Sequence, residues 1–181
     1  MLRSLKTDIP KIYVACLSSY NNGILFGEWI ECDLGAESIQ ESIKEMLSKS
    51  PMKDAEEWAI HDVDNFYGIN ISEFENIEKV AQIAEMLENT DYESKLIAEV
   101  YQHLSIEPED VLPWMEDNYY GKYESLADFA EEWLDNSGQL NGTLKEFQYY
   151  FDFDLFAKEV LMNDFFEIDL GYREKHIFMN H

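Results

Sequence analysis

The sequence predicts an α+β fold in three sections, mixed at both ends and helical in the middle. Three observations carry this reading. Near the N-terminus, two apolar runs flank Asn22-Gly23, a pair that supplies the positive φ angles of a tight reversal. Near the C-terminus, Phe165–Ile168 and His176–Met179 flank Gly171 in the same way. Between them, residues 72–104 repeat apolar side chains at three- and four-residue spacing, the period of a helix.

In chain order, Ile12–Leu17 is a buried-strand candidate, Ser18–Gly23 a turn, and Ile24–Cys32 the returning strand, in which Gly27 marks a bulge. Ser38 and Glu41 are spaced as a capping box that opens a helix with Ile39, Ile43, Met46 and Leu47 on one face. Pro51 breaks the chain, and Glu57–His61 reads as a third strand. Residues 1–61 are thus expected to form an α+β domain.

Residues 62–106 are expected to form a helical domain. Asp62–Gly68 reads as a linker turn. Ser72 and Glu75 make a second capping box, and the helix they open runs to about Asn89. Phe74, Ile77, Ala81, Ala84 and Leu87 face inward, while Glu75, Glu78, Gln82, Glu85 and Glu88 face outward. A second helix, from about Tyr92 to Leu104, buries Leu96, Ile97, Val100, Tyr101 and Leu104.

Residues 107–181 return to α+β. Pro108 suits the first turn of a helix, which Pro113 limits or kinks. Ser125 reads as an N-cap with Asp128 three residues on, and Leu126, Phe129, Ala130 and Trp133 make one apolar stripe. Leu155, Phe156 and Val160 mark another helix. Phe147, Tyr149, Tyr150, Phe151, Phe153, Phe156, Phe165 and Phe166 are more than a module of this size needs for its own core. Such a surplus is expected to join two copies into a homodimer.

Charge is the dominant fact of composition. The 38 acidic and 13 basic residues leave a formal charge of −25. Disordered chains carry such charge but lack aromatics, whereas this one has 11 Tyr, 11 Phe and 4 Trp. It therefore folds. Binding to nucleic acid or to an anionic membrane needs a basic face and is excluded. Solubility alone asks for a net charge of about 2–8 in a small domain, so the excess has a use. The load is uneven: residues 1–60 hold ten acids and six bases, leaving 28 and seven for the rest. Duplex DNA carries one charge per roughly 1.7 Å of axis, so the net charge equals that of roughly 42 Å of duplex as an upper bound.

Chemistry finds little support. The two cysteines, Cys16 and Cys32, fall in strand-like runs and read as reduced core residues of a cytoplasmic protein. The first ten residues hold no apolar targeting run, and no stretch approaches the length of a membrane span. No phosphate-loop, dinucleotide, nucleophile-elbow, zinc-helix or paired-cysteine motif occurs. His61, His103, His176 and His181 lack metal-ligand spacing, and His61 beside Asp62 reads as structural. A calcium loop begun at Asp62 places Asp64 and Glu73 correctly but puts Phe66 where an oxygen ligand belongs and Tyr67 where glycine belongs. Asp62 with Asp64, and Asp152 with Asp154, are pairs that so acidic a chain produces by chance. No enzyme and no cofactor is expected.

Several segments resemble a known family. Ile12–Ile30 (Ile-Tyr-Val-Ala-Cys-Leu-Ser-Ser-Tyr-Asn-Asn-Gly-Ile-Leu-Phe-Gly-Glu-Trp-Ile) resembles the opening signature of the ArdA antirestriction proteins. Glu56–Asp62, Tyr120–Ala130 and the late acidic segment Tyr150–Glu159 resemble the family in the same order. The resemblance implies an elongated, acidic, three-domain homodimer that imitates bent B-form DNA. It would occupy the DNA-binding groove of a type I restriction-modification enzyme, and would be carried on a plasmid or conjugative transposon. Function would then be spread over surface carboxylates. Those expected to form the partner-binding surface are Asp62, Asp64, Glu75, Glu78, Glu85 and Glu88; Glu109, Asp110, Glu116 and Asp117; and Glu124, Asp128, Glu131, Glu132, Asp135, Asp152, Asp154 and Glu159. The family's short antirestriction motif would fall between Leu126 and Gln139. The basic leader (Arg3, Lys6, Lys11) and the cluster Lys44, Lys49 and Lys53 depart from the acidic pattern. Two readings of other classes stand beside this one: an acidic adaptor for another basic DNA-binding protein, and a metal-dependent enzyme using clustered carboxylates.

Overall fold

A computed structural model describes residues 8–53, 55–88, 92–139 and 146–180. Arg3 and Lys6 of the basic leader, and Asn89 at the expected helix end, lie outside these residues. Among the described residues the chain is α+β, with seven α-helices and two three-stranded antiparallel sheets. It divides into two compact units, Met1–Leu112 and Pro113–His181.

In the first unit, β1 (Lys11–Cys16) is the central strand, flanked by β2 (Gly27–Glu31) and β3 (Trp58–Asp64). Burial of Ile12, Val14, Ala15 and Cys16 suits a strand paired on both edges. β1 and β2 pair from Lys11 opposite Glu31 to Ala15 opposite Gly27. Their connection is longer than the expected tight turn. Leu17–Asn21 coil into a short helix, α1, and Gly23 then turns at φ 75°. The N–H groups of Asn22 and Ile24 both donate to the Ser19 carbonyl, so local bonds to one buried serine replace the tight hairpin.

Gly27 is also not a bulge. It pairs in register, and the strand irregularity falls between Tyr13 and Val14 of the β1–β3 pairing instead. A Cβ at Gly27 would sit 2.4 Å from the Val14 carbonyl oxygen and 2.9 Å from the Tyr13 ring. Close approach explains this glycine. β3 is longer than expected, so Asp62 and Asp64 lie on a strand rather than in a linker; the turn follows at Asn65, Tyr67 and Gly68, all at positive φ. Both cysteines are free and buried, and burial pushes the Cys32 thiol up to about 12.

The first capping box does not form. Helix α2 (Ala36–Ser48) begins two residues before Ser38, at Gly35, whose φ of 84° makes the entry without a side-chain cap. Its buried residues are Ile39, Ile43 and Met46. The second box closes a turn instead of a helix: the Ser72 hydroxyl donates to Glu75 at 3.0 Å, and helix α3 (Ile77–Glu88) starts after Asn76. The Asn76 side-chain oxygen accepts from the Glu78 N–H at 2.8 Å, as an N-cap does. Phe74 therefore precedes the helix and is 69% exposed, contrary to its expected burial. α3 buries a wide face, adding Val80, Ile83 and Met86 to Ile77, Ala81, Ala84 and Leu87. It packs against α2 on one side and α4 (Ser94–Leu104) on the other. Tyr101 and Leu104 of α4 are half-buried.

Helix α5 (Pro108–Asn118) has Pro108 in its first turn and continues through Pro113, the residue at which the two units divide. In the second unit the sheet order is β4-β6-β5, from strands β4 (Tyr119–Tyr123), β5 (Phe165–Gly171) and β6 (Glu174–Met179). Sequence reasoning missed β4. The C-terminal hairpin forms as expected, but its turn is Tyr172-Arg173, with Arg173 at φ 58° and Gly171 ending β5. Helix α6 (Leu126–Asn136) starts as predicted: the Ser125 hydroxyl oxygen accepts from the Asp128 N–H at 3.2 Å. Helix α7 (Phe153–Glu159) packs against α6 and is capped by Asp152, which accepts from the Leu155 N–H at 2.9 Å. Phe129 is the hub of this core, with Tyr123, Phe165 and Tyr120 rings at 5.3, 5.1 and 5.5 Å.

Phe129→Ala should cost about 3–5 kcal/mol, the usual range for an emptied aromatic core site. Gly27→Ala should also destabilise, because a methyl group meets backbone rather than a movable side chain. Urea unfolding of each variant checks both, and wild-type stability for Gly27→Ala would show that β2 shifts freely.

Candidate functional site: an acidic surface

The eighteen carboxylates expected to form the site are placed by ordinary secondary-structure rules. Asp62 and Asp64 alternate along β3 and are exposed. Glu78 and Glu85 stand on the outward face of α3 and are exposed. Glu75 and Glu88 are the two exceptions to full exposure. Glu75 is half-buried in the pre-helical turn, and Glu88 is half-buried with one carboxylate oxygen turned out of solvent. α5 exposes Glu109 and Asp110 in its first turn and Glu116 and Asp117 in its last. Acids suit the first turn, at the positive end of the helix dipole, and oppose the last. The exposed pair at the last turn is thus a local cost borne for some other reason.

α6 is the clearest case. Its apolar face packs inward, leaving Asp128, Glu131, Glu132 and Asp135 exposed, with Glu124 just before it. Residues three and four apart on a helix face lie roughly 5–6 Å from one another. The sequence of α6, like that of α5, contains no Lys or Arg. What steadies these carboxylates is neutral: Gln148 donates to Glu131, the Tyr123 hydroxyl to Glu132 at 3.2 Å, and the Ser125 hydroxyl to Asp128 at 2.6 Å. Neutral donors fix geometry and leave the charge intact. Tyr123 feels the result, since burial first and then the Glu132 charge hold its phenol well above the usual range. In the first unit the Gln82 amide likewise donates to Glu109 at 3.1 Å, and Gln40 to Glu78 at 3.0 Å.

Many of the positive charges lie away from α5 and α6. Lys122 pairs with Glu174, Arg173 with Glu124, and Lys175 with Glu167 and Asp169 at 3.0 and 2.9 Å, all around the β4–β6–β5 sheet. The Lys175 hydrogen bond holds the Asp169 carboxyl below its ordinary value, and Lys122 does the same for Glu174. In the first unit, Lys11 is paired with Glu31 at 3.0 Å and Lys49 with Glu45 at 2.9 Å. Glu124 and Asp154 are taken up in ion pairs, the latter with Lys158 four residues on. Asp152 is a helix cap, and Glu159 is exposed at the end of α7.

Sequence reasoning passed over one acidic stripe. Glu37, Glu41 and Glu45 recur every four residues on α2 and are exposed. Their spacing was the available signal, hidden by the neighbouring Lys44 and Lys49. His61 shows no acid–base pairing with Asp62: its ring stands edge-on to Tyr20 at 5.0 Å, and its Nε2 is 4.0 Å from Glu73. Among the described residues no group of three or more His, Cys, Asp or Glu side chains is arranged to hold a metal ion. The carboxylates together offer a negative field and a hydrogen-bond-accepting surface.

Comparison with known proteins bears directly on such a surface. No curated protein matches the chain. The family model described as "Antirestriction protein (ArdA)" matches residues 12–174, nearly the whole sequence. The chain belongs to the ArdA family of antirestriction proteins.

Proposed function

We propose that this antirestriction protein acts as a mimic of bent B-form DNA, filling the DNA-binding groove of the methyltransferase core of a type I restriction-modification enzyme. The observation that carries this reading is the exposure of sixteen of the eighteen site carboxylates, eight of them on α5 and α6, whose sequences hold no cation. Rows of carboxylates held by neutral donors present negative charge at fixed positions, as a phosphate backbone does. A groove built to neutralise phosphates with Lys and Arg would recognise them. No catalytic residue or cofactor is required, and the partner's own basic surface supplies the attraction.

The proposal includes a cytoplasmic homodimer. Phe147, Tyr149, Tyr150, Phe151, Leu155 and Val160 are exposed in the second unit, while Phe165 is buried and Phe153, Phe156 and Phe166 are half-buried. Part of the aromatic surplus thus enters the core, and the remainder supports a contact between copies. Division into domains 1–61, 62–106 and 107–181 belongs to the same proposal. Among the described residues no helix is long and apolar enough to cross a membrane.

Two outcomes are expected. Glu116→Gln, Asp117→Asn, Glu131→Gln and Asp135→Asn should each weaken methyltransferase binding by about twofold or less, and together by about tenfold, since an exposed ion pair contributes roughly 0.2–1 kcal/mol. Dissociation constants across a salt series, with cognate duplex as competitor, make the measurement. Unchanged affinity of the folded quadruple variant would show that these faces are only solvated. Full binding beside saturating duplex would point to an adaptor surface instead. Light scattering should give a dimer mass at micromolar concentration, with association weaker at low salt, where repulsion between like-charged copies is least screened.

A further inference from the structure

The first unit holds a cavity of about 530 Å³ between α2, β3 and the start of α3. That volume lies in the range of ligand pockets. Two aromatic residues line it: Trp58 at the start of β3, and Phe74. Phe74 is 69% exposed, although it sits in a firmly held segment. The Ile60 N–H donates to the Glu73 carbonyl at 2.9 Å, which ties this segment to β3, and the Ser72–Glu75 bonds close the turn. A large apolar ring is therefore held in water by structure on both sides of it. Local sequence and global fold disagree at Phe74, and such disagreements collect at functional positions.

The rim is acidic. Glu56, Glu75 and Glu78 line the cavity against one cation among its described lining residues, Lys44. Glu56 is exposed and enters no hydrogen bond or ion pair among the described residues. Aromatic faces beside uncompensated carboxylates suit a particular occupant. An ammonium ion is compact and strongly hydrated, whereas guanidinium is planar, weakly hydrated, stacks on rings and donates in a fork to carboxylates.

Resting on the reading of the partner as a DNA-binding enzyme, whose phosphate contacts come largely from Arg and Lys, we infer that this cavity takes an arginine side chain of that partner. The guanidinium lies against Phe74 and Trp58 and donates to Glu56 and its neighbours on the rim. A phosphate backbone has no aromatic wall to offer the same arginine. The cavity thus gives a mimic a contact that the nucleic acid lacks, and one that salt weakens less than an exposed charge pair.

The test uses the full chain labelled with fluorotryptophan and followed by fluorine NMR. A capped Gly-Arg-Gly peptide is titrated beside its citrulline counterpart, and the Trp58 resonance is assigned from Trp58→Phe. Arginine should move the Trp58 signal saturably while Trp29, Trp114 and Trp133 stay in place, and citrulline should bind at least about threefold more weakly. Phe74→Ala and Glu56→Gln, both at exposed positions, should each weaken binding about threefold, and Lys44→Gln should tighten it. A silent Trp58, an equal response to citrulline, or a shift shared by all four tryptophans overturns the inference. Duplex competition for the methyltransferase is measured on the same samples. Intact competition beside a silent Trp58 removes the arginine site alone, and lost competition beside a responsive Trp58 removes the mimicry reading alone.

Discussion

Burial of aromatic side chains is what allows this chain to carry its charge. With 38 acids and 13 bases, most carboxylates have no cation to pair with, and surface pairs add little where they do form. Like charges one helical turn apart repel by roughly 0.2–0.5 kcal/mol per pair. One fully buried Phe contributes up to roughly 3 kcal/mol, enough to offset several such pairs. α6 balances in this way: Phe129 is completely buried under a face that holds four exposed carboxylates. Trp114, Tyr119, Phe166 and Phe178 make a second aromatic group, with ring centroids 5.1–6.0 Å apart. The acidic surface therefore depends on the aromatic core beneath it.

The placement of cations follows from the same constraint. In the second unit they crowd the sheet, where Lys122, Arg173 and Lys175 each face carboxylates across strands or turns. Opposite charges across a strand pair stabilise it by roughly 0.2–1 kcal/mol, so they steady a three-stranded sheet that is small by any measure. On α6 a lysine would gain the usual four-residue pairing but would cancel part of the outward field. Its helix is steadied instead by the Ser125 cap and by neutral donors such as Tyr123 and Gln148. Stabilisation by groups without charge is what keeps the α6 face negative.

Much of this was legible in the sequence, and the failures share a cause. Apolar periodicity located the strands of both sheets except β4, and the helices α2, α3, α4, α6 and α7, while Pro108 marked α5. Local turn chemistry was less reliable. Ser125 caps its helix as read, yet Ser38 and Ser72 do not, because Gly35 and Asn76 begin those helices in their place. A hydroxyl three residues before an acid is a local signal, and tertiary packing decides which of several local signals is used. β4 was missed because Tyr119–Tyr123 contains Gly121 and a lysine, and its stability comes from pairing with β6. Gly27 could not be told from a bulge, because a close approach to Val14 is a long-range fact. For the acidic site, exposure followed directly from helical phase. Of the exceptions, Glu75 precedes α3 and Glu88 is its last residue, where helical phase no longer dictates direction.

Three of the four segments that carry the family resemblance are mainly scaffold; Tyr150–Glu159 is the exception, with Asp152, Asp154 and Glu159 exposed. Ile12–Ile30 supplies β1, α1 and most of β2; Glu56–Asp62 enters β3; Tyr120–Ala130 supplies most of β4 and the first half of α6. Their residues are the ones a fold constrains tightly: a glycine pressed against backbone, a capping serine, a buried phenylalanine. A field built from many carboxylates imposes fewer such constraints, because each acid supplies only a small part of a summed potential. The acids that would meet the partner are interchangeable as individuals and specific only in the aggregate. Phe74 stands outside this division, being a single exposed residue whose position matters, and for that reason it separates a shaped contact from a purely electrostatic one.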